Sequence, residues 1–125
     1  MGWDKVGVVG GRDGGTWWQT YTTRAVGGGQ MLIPVRAPYA FRITGIRYRA
    51  GTADGGGTPT AELRKNGTGS GQTIAGTSGT ISTTPTEVTG TWDIALGDEL
   101  YVWQTAVGTG TIGQGLAVHW RGIRL

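Results

Sequence analysis

Side chains that could carry out acid–base or nucleophilic chemistry are few, and no motif surrounds them. The chain has one histidine, His119, and a nucleophile–histidine–carboxylate triad would have to combine it with Ser70, Ser78 or Ser82. No serine lies in the glycine-flanked sequence of a nucleophile elbow. His119 falls on the opposite face of a predicted strand from its two apolar neighbours. This placement favours a surface or interface histidine over a general base.

The carboxylates and the glycine-rich loops also match no known catalytic or metal-binding pattern. A glycosidase would need two carboxylates facing each other across about 5–10 Å, and none of the eight acidic residues lies in a supporting motif. The loop GTADGGGT has one aspartate where a calcium loop needs several. The chain lacks cysteine and a phosphate-binding loop. We therefore predict a protein that is not an enzyme and binds no cofactor or metal ion.

Tryptophan is the residue type that points to binding. Three of the six lie in alternating segments, where core packing is the expected role: Trp92, Trp103 and Trp120. Trp17 and Trp18 are adjacent, so in a strand they point to opposite faces and one must leave the core of its own sheet. It could contact an N-terminal arm, a neighbouring subunit, a partner protein or a sugar. The predicted contact residues are Trp3, Arg12, Trp17, Trp18 and Tyr21.

Length and charge limit the class of protein. The chain has 125 residues, the size of one domain, and a formal net charge of +3. This excess is too small to predict nucleic-acid binding. No apolar run approaches the roughly 20 residues of a membrane span, and the N-terminal sequence does not resemble a signal peptide. We expect neither a nucleic acid nor a membrane among its partners.

Strands are predicted throughout, because glycine or threonine interrupts nearly every helical window. Glycine makes up 26 of the 125 residues, and the runs between glycine-rich turns are rich in Thr, Val, Ile, Trp and Tyr. About eight short antiparallel strands at roughly 10-residue spacing predict an all-β sandwich, jelly-roll-like in topology. Residues 1–15 are predicted to be a flexible arm, and residues 16–125 a single domain.

The segment FRITGIRYRA, residues 41–50, contains a change of phase. Phe41 and Ile43 share one face of a strand, whereas Ile46 and Tyr48 fall on the other. A β-bulge at Gly45 would bring all four to the same side. We therefore predict a bulge at Gly45 and a buried position for the four apolar side chains.

Three other segments give specific expectations. Asn66–Gly67 is a strong hairpin-turn signal, and residues 67–79 should hold a short strand between turns. Residues 100–107 are apolar on both faces, which predicts a central strand. In residues 115–125 the alternation directs three side chains inward: Leu116, Val118 and Trp120.

Residues 41–125 resemble a β-sandwich module found in small structural proteins of tailed bacteriophages. The resemblance rests on ITGIRYRAGTADGGGTPTAELRKNGT (residues 43–68), followed by ISTTPTEV and LGDELYVWQTAVGTGTIGQGLAVHWRGIRL. Such modules occur in minor tail, host-recognition and capsid decoration proteins, commonly as trimers, and they carry no catalytic residues. Residues 1–40 show no such resemblance.

The resemblance implies a homotrimeric capsid decoration protein, assembled in the host cytoplasm and located in the virion. It would contact itself and a major capsid or tail protein. The alternative is a minor tail protein or carbohydrate-binding module that recognises a cell-surface glycan. That alternative predicts an exposed aromatic platform beside a polar rim.

Overall fold

The computed structural model describes residues 12–30 and 34–125, and it confirms the predicted β-sandwich. Two antiparallel sheets of four strands each pack face to face. A short 3-10 turn, Ser70–Gln72, lies between the fourth and fifth strands, and no helix in the described ranges could span a membrane. The strands are β1 (Arg12–Thr23), β2 (Val35–Arg36), β3 (Phe41–Ala50), β4 (Thr60–Lys65), β5 (Gly79–Thr80), β6 (Val88–Ile94), β7 (Glu99–Ala106) and β8 (Gln114–Arg124).

The strand order is that of a jelly roll. The first sheet runs β1-β8-β3-β6 and the second runs β2-β7-β4-β5. Each strand pairs with its counterpart from the other end of the chain: β1 with β8, β2 with β7, β3 with β6 and β4 with β5. The chain is thus one long folded hairpin, rolled up so that alternate pairs enter opposite sheets. The jelly-roll prediction is confirmed.

The bulge predicted at Gly45 is present. The register of β3 shifts between Ile43 and Gly45 against both of its neighbours, β6 and β8. As a result Phe41, Ile43, Ile46 and Tyr48 are all buried between the sheets. The inward positions predicted for β8 are also confirmed, and β7 lies inside its sheet as expected.

The segment after β4 differs from its prediction. Asn66 adopts a left-handed conformation, with φ 61°, as the turn signal requires. The turn does not join two strands directly, however, because the chain continues through the 3-10 turn before β5 begins. Two outward side chains of β4 form hydrogen bonds with the segment after the turn. Arg64 donates to the carbonyl of Thr68, and Glu62 accepts a 2.6 Å hydrogen bond from Thr73. The predicted short strand is reduced to a bridge between Arg64 and Thr73.

The predicted arm also differs where the structure describes it. Residues 1–11 lie outside the described residues, but residues 12–15 belong to β1 and pair with β8, from Arg12 beside Ile123 to Gly15 beside Trp120. Gly14 is buried, and a Cβ added to it would lie 2.9 Å from the carbonyl oxygen of Trp120. Glycine here therefore permits close strand packing, whereas the sequence suggested a flexible linker.

A second close approach yields a stability test. A Cβ on Gly122 in β8 would lie 1.8 Å from the carbonyl oxygen of Arg42, beside the β3 bulge. We expect Gly122→Ala to lower the free energy of unfolding by about 1–3 kcal/mol, because the neighbouring backbone must move to make room for the methyl group. Urea denaturation measures this change. Gly71→Ala is the control, since its added Cβ meets nothing within 4 Å. Equal effects of the two substitutions would contradict this packing.

Candidate functional site

The predicted contact residues do not all lie on the surface. Trp17 is 2% exposed and packs in the core, so its predicted role in partner contact is wrong. Trp18 and Tyr21 are 45% and 58% exposed on the outer face of the first sheet. Trp3 lies outside the described residues. For Arg12 the structure describes the backbone, which pairs with Ile123.

Trp18 and Tyr21 form a pair of stacked rings. Their centroids are 6.0 Å apart and their planes differ by 18°. Residues three apart in a regular strand point to opposite faces, but the register of β1 shifts between Trp18 and Thr20. That irregularity places both rings on the same side. The sequence contains both aromatic residues but no signal for the irregularity that unites them.

A cleft of about 590 Å³ lies beside this pair, and we name it the aromatic cleft. It opens where β1 and β3 end and β8 begins. Ala117 of β8 is the cross-strand neighbour of both Trp18 on β1 and Arg49 on β3. A small side chain between two large ones leaves a hollow. The polar rim of the aromatic cleft consists of Arg49, Thr52, Thr83 and Gln114.

The rim of the aromatic cleft is cationic. Arg47 and Arg49 follow each other on the outer face of β3, and within the described ranges neither forms a salt bridge. Arg49 donates a 3.0 Å hydrogen bond to the carbonyl of Thr83, which leaves its other N–H groups available. Two other arginines on this face are paired: Arg42 with Asp93 at 2.6 Å and Arg121 with Glu87 at 2.7 Å.

His119 lies on the same face, one row below the aromatic cleft. A 2.8 Å hydrogen bond joins its Nδ1 to Oγ1 of Thr16. Its Nε2 is buried and has no hydrogen-bond partner in the described part of the chain. Burial and then the charges of Arg49 and Arg47 lower the pKa of His119. The imidazole is therefore neutral at pH 7 and adds no charge to this face.

A buried ion pair holds the loops behind the aromatic cleft. The side chains of Arg24 and Asp54 are 0% and 2% exposed, and Nη2 of Arg24 lies 2.6 Å from Oδ1 of Asp54. Nη1 of Arg24 donates to three backbone carbonyls, each at 2.9 Å: those of Thr52, Gln114 and Gly115. Two of these residues, Thr52 and Gln114, lie on the rim of the cleft.

Asp54 completes this arrangement, which we call the Arg24/Asp54 cluster. It accepts hydrogen bonds from the backbone N–H groups of Gly108 at 2.7 Å and Gly113 at 2.5 Å. Burial, the largest influence, raises the pKa of Asp54, but the bonds from Gly113, Gly108 and Arg24 together outweigh it and lower the pKa. The sequence of residues 51–58 predicts only a loop, because no local pattern indicates that Asp54 pairs with Arg24, 30 residues earlier.

Loss of one partner from the Arg24/Asp54 cluster should be costly. We expect Asp54→Asn to lower the free energy of unfolding by about 3–5 kcal/mol at pH 7, because it leaves the Arg24 guanidinium buried without its counter-ion. Urea denaturation provides the measurement. The control is Asp93→Asn, which removes an exposed carboxylate from the Arg42 pair and should lower the free energy of unfolding far less than Asp54→Asn does.

The same pair of variants tests the pH dependence. The folded-state pKa of Asp54 lies below its unfolded value, so its contribution to stability is present above about pH 4 and is lost as the pH falls through the folded pKa. Below about pH 4 the stabilities of wild type and Asp54→Asn should converge. A constant difference between pH 7 and pH 2 would contradict the cluster.

The single histidine permits a direct test of the charged face. An NMR titration of the His119 ring should give a pKa below the ordinary value of about 6.5. Arg49→Gln should raise this pKa, since one nearby positive charge is removed. Arg36→Gln, on the second sheet, should leave it unchanged. No response to Arg49→Gln would place the guanidinium away from the imidazole.

Within the described residues, no group of three His, Asp or Glu side chains is placed to hold a metal ion. No protein-family model matches the sequence, and comparison with curated proteins and with solved structures gives no significant match. The sheet topology and the geometry of the first sheet's outer face are thus the basis for a functional proposal.

Proposed function

We propose that this protein is a non-enzymatic structural protein of a tailed-bacteriophage virion, assembled as a homotrimer on a major capsid or tail protein. The observation that carries the proposal is the jelly-roll topology, which recurs in viral capsid domains and in lectins. The resemblance of residues 41–125 to phage structural modules supports the same function. Such a protein acts by assembly, so its surfaces carry the function.

The outer face of the first sheet offers a surface for contact between subunits. Ile123 and Leu125 are 42% and 58% exposed at the end of β8, opposite the aromatic cleft. The start of β1 lies beside them, since Arg12 pairs with Ile123. A single exposed apolar side chain is ordinary, but neighbouring exposed apolar side chains are typical of an interface. Closed symmetry would repeat this contact in every subunit.

The solution mass tests the assembly. Light scattering after size exclusion should give about three times the 13.1 kDa chain mass. Ile123→Asp should shift the protein to monomers, because it buries an unpaired charge in the contact. Val26→Asp is the control, since Val26 is 61% exposed and follows Thr23, at the other end of β1 from the Arg12–Ile123 pair. A monomeric wild type would overturn the trimer, and an undisturbed Ile123→Asp trimer would overturn this contact.

A second function is favoured by a different observation. The Trp18/Tyr21 pair beside a polar rim is the arrangement expected of a minor tail protein or carbohydrate-binding module that recognises a host-surface glycan. The two functions are compatible, because the aromatic cleft and the Ile123 contact lie at opposite ends of β8.

A further inference from the structure

The aromatic cleft combines a pair of stacked aromatic rings, polar groups and positive charge in one concave site. We propose that it binds an acidic glycan, with a pyranose ring against Trp18 and Tyr21 and the sugar carboxylate at Arg49. The inference rests on the second function proposed above, whose ligand class it names, and it is independent of the proposed trimer. It does require that the cleft remains open in the assembled protein.

The apolar wall fits a sugar ring. One face of a pyranose carries C–H groups, and these pack on the π-face of an aromatic ring. Trp18 and Tyr21 are both exposed and stack within 18° of parallel, so each ring supports the other and the pair offers its outer π-face to a ligand. The cleft volume of about 590 Å³ falls in the range of about 300–1,000 Å³ that is typical of small-ligand sites.

The rim supplies fixed hydrogen-bonding groups for sugar hydroxyls. Oγ1 of Thr52 accepts a 2.7 Å hydrogen bond from the backbone N–H of Gln114, which ties two rim residues together. Arg24 donates to the carbonyls of both. These residues are therefore held in place before a ligand arrives, which lowers the entropic cost of binding.

The charge of the rim selects an acidic sugar over a neutral one. Arg42 and Arg121 have carboxylate partners on the same face, whereas Arg47 and Arg49 form no salt bridge with a described residue. The guanidinium of Arg49 borders the cleft and can donate two parallel hydrogen bonds to a carboxylate. A neutral sugar would stack on the rings but leave this cation unpaired.

Fluorescence titration of the full chain tests the proposal. Three acidic probes are used, namely oligogalacturonate, a hyaluronan hexasaccharide and sialyllactose, with maltohexaose and lactose as neutral controls. At least one acidic probe should bind at submillimolar concentration, at least about tenfold more tightly than the neutral sugars. Raising the salt concentration from 50 to 500 mM should weaken this binding through screening.

Two substitutions in the aromatic cleft test whether the acidic probe binds there. Trp18→Ala and Arg49→Gln should each weaken binding of that probe by about tenfold or more. Leu96→Ala and Arg36→Gln, both away from the cleft, are the matched controls and should bind as wild type does. Circular dichroism and light scattering confirm that the variants keep the wild-type fold and mass.

Several outcomes would overturn the proposal. No binding of any acidic probe at 10 mM, equal binding of neutral sugars, or unchanged binding by Trp18→Ala would each do so. Dissociation of the assembly by Trp18→Ala would identify the rings as a subunit contact instead. The solution mass is a separate readout, so a monomer that binds the acidic probe overturns only the trimer. A trimer that binds no probe overturns only the glycan site.

Discussion

The buried ion pair between Arg24 and Asp54 is the interaction on which the end of the molecule that holds the aromatic cleft depends. A jelly roll leaves its loops clustered at the two ends of the sandwich, and loops rich in glycine have little apolar surface with which to pack. Here one guanidinium and one carboxylate satisfy three carbonyls and two N–H groups from separate loops. Removal of either charge would leave the other buried and unpaired.

The aromatic cleft follows from this constraint together with two features of the first sheet. The Arg24/Asp54 cluster sets the positions of Thr52 and Gln114, and the irregularity in β1 turns Trp18 and Tyr21 to the same side. Ala117 then leaves space between Trp18 and Arg49. These features all lie at the end of the first sheet where β1, β8 and β3 are neighbours, and together they form the aromatic cleft.

The two sheets use their outward polar side chains differently. On the second sheet, Arg64 lies 4.5 Å from the ring of Trp103 and also pairs with Glu62, so this arginine is used within the fold. On the first sheet, Arg49 borders a cleft and keeps donors available. Positive charge that the fold itself does not neutralise is a feature of surfaces that meet an anionic ligand. The contrast is the reason for placing the proposed ligand site on the first sheet.

The fold class could be predicted from the sequence, because it depends on local patterns repeated along the whole chain. Alternation with glycine-rich turns predicts a sandwich, and the phase change around Gly45 predicts a bulge, because strand residues alternate with a period of two. The sequence also predicted Trp17, Trp18 and Tyr21 to be contact residues, and the structure leaves Trp18 and Tyr21 exposed but buries Trp17. Only the tertiary structure decided which of the adjacent tryptophans faces outward, since that depends on which face of β1 packs against the second sheet.

Only the tertiary structure could bring Arg24 next to Asp54, and Ala117 next to Trp18 and Arg49. Those pairs lie far apart in the chain, and their proximity arises when distant strands become neighbours.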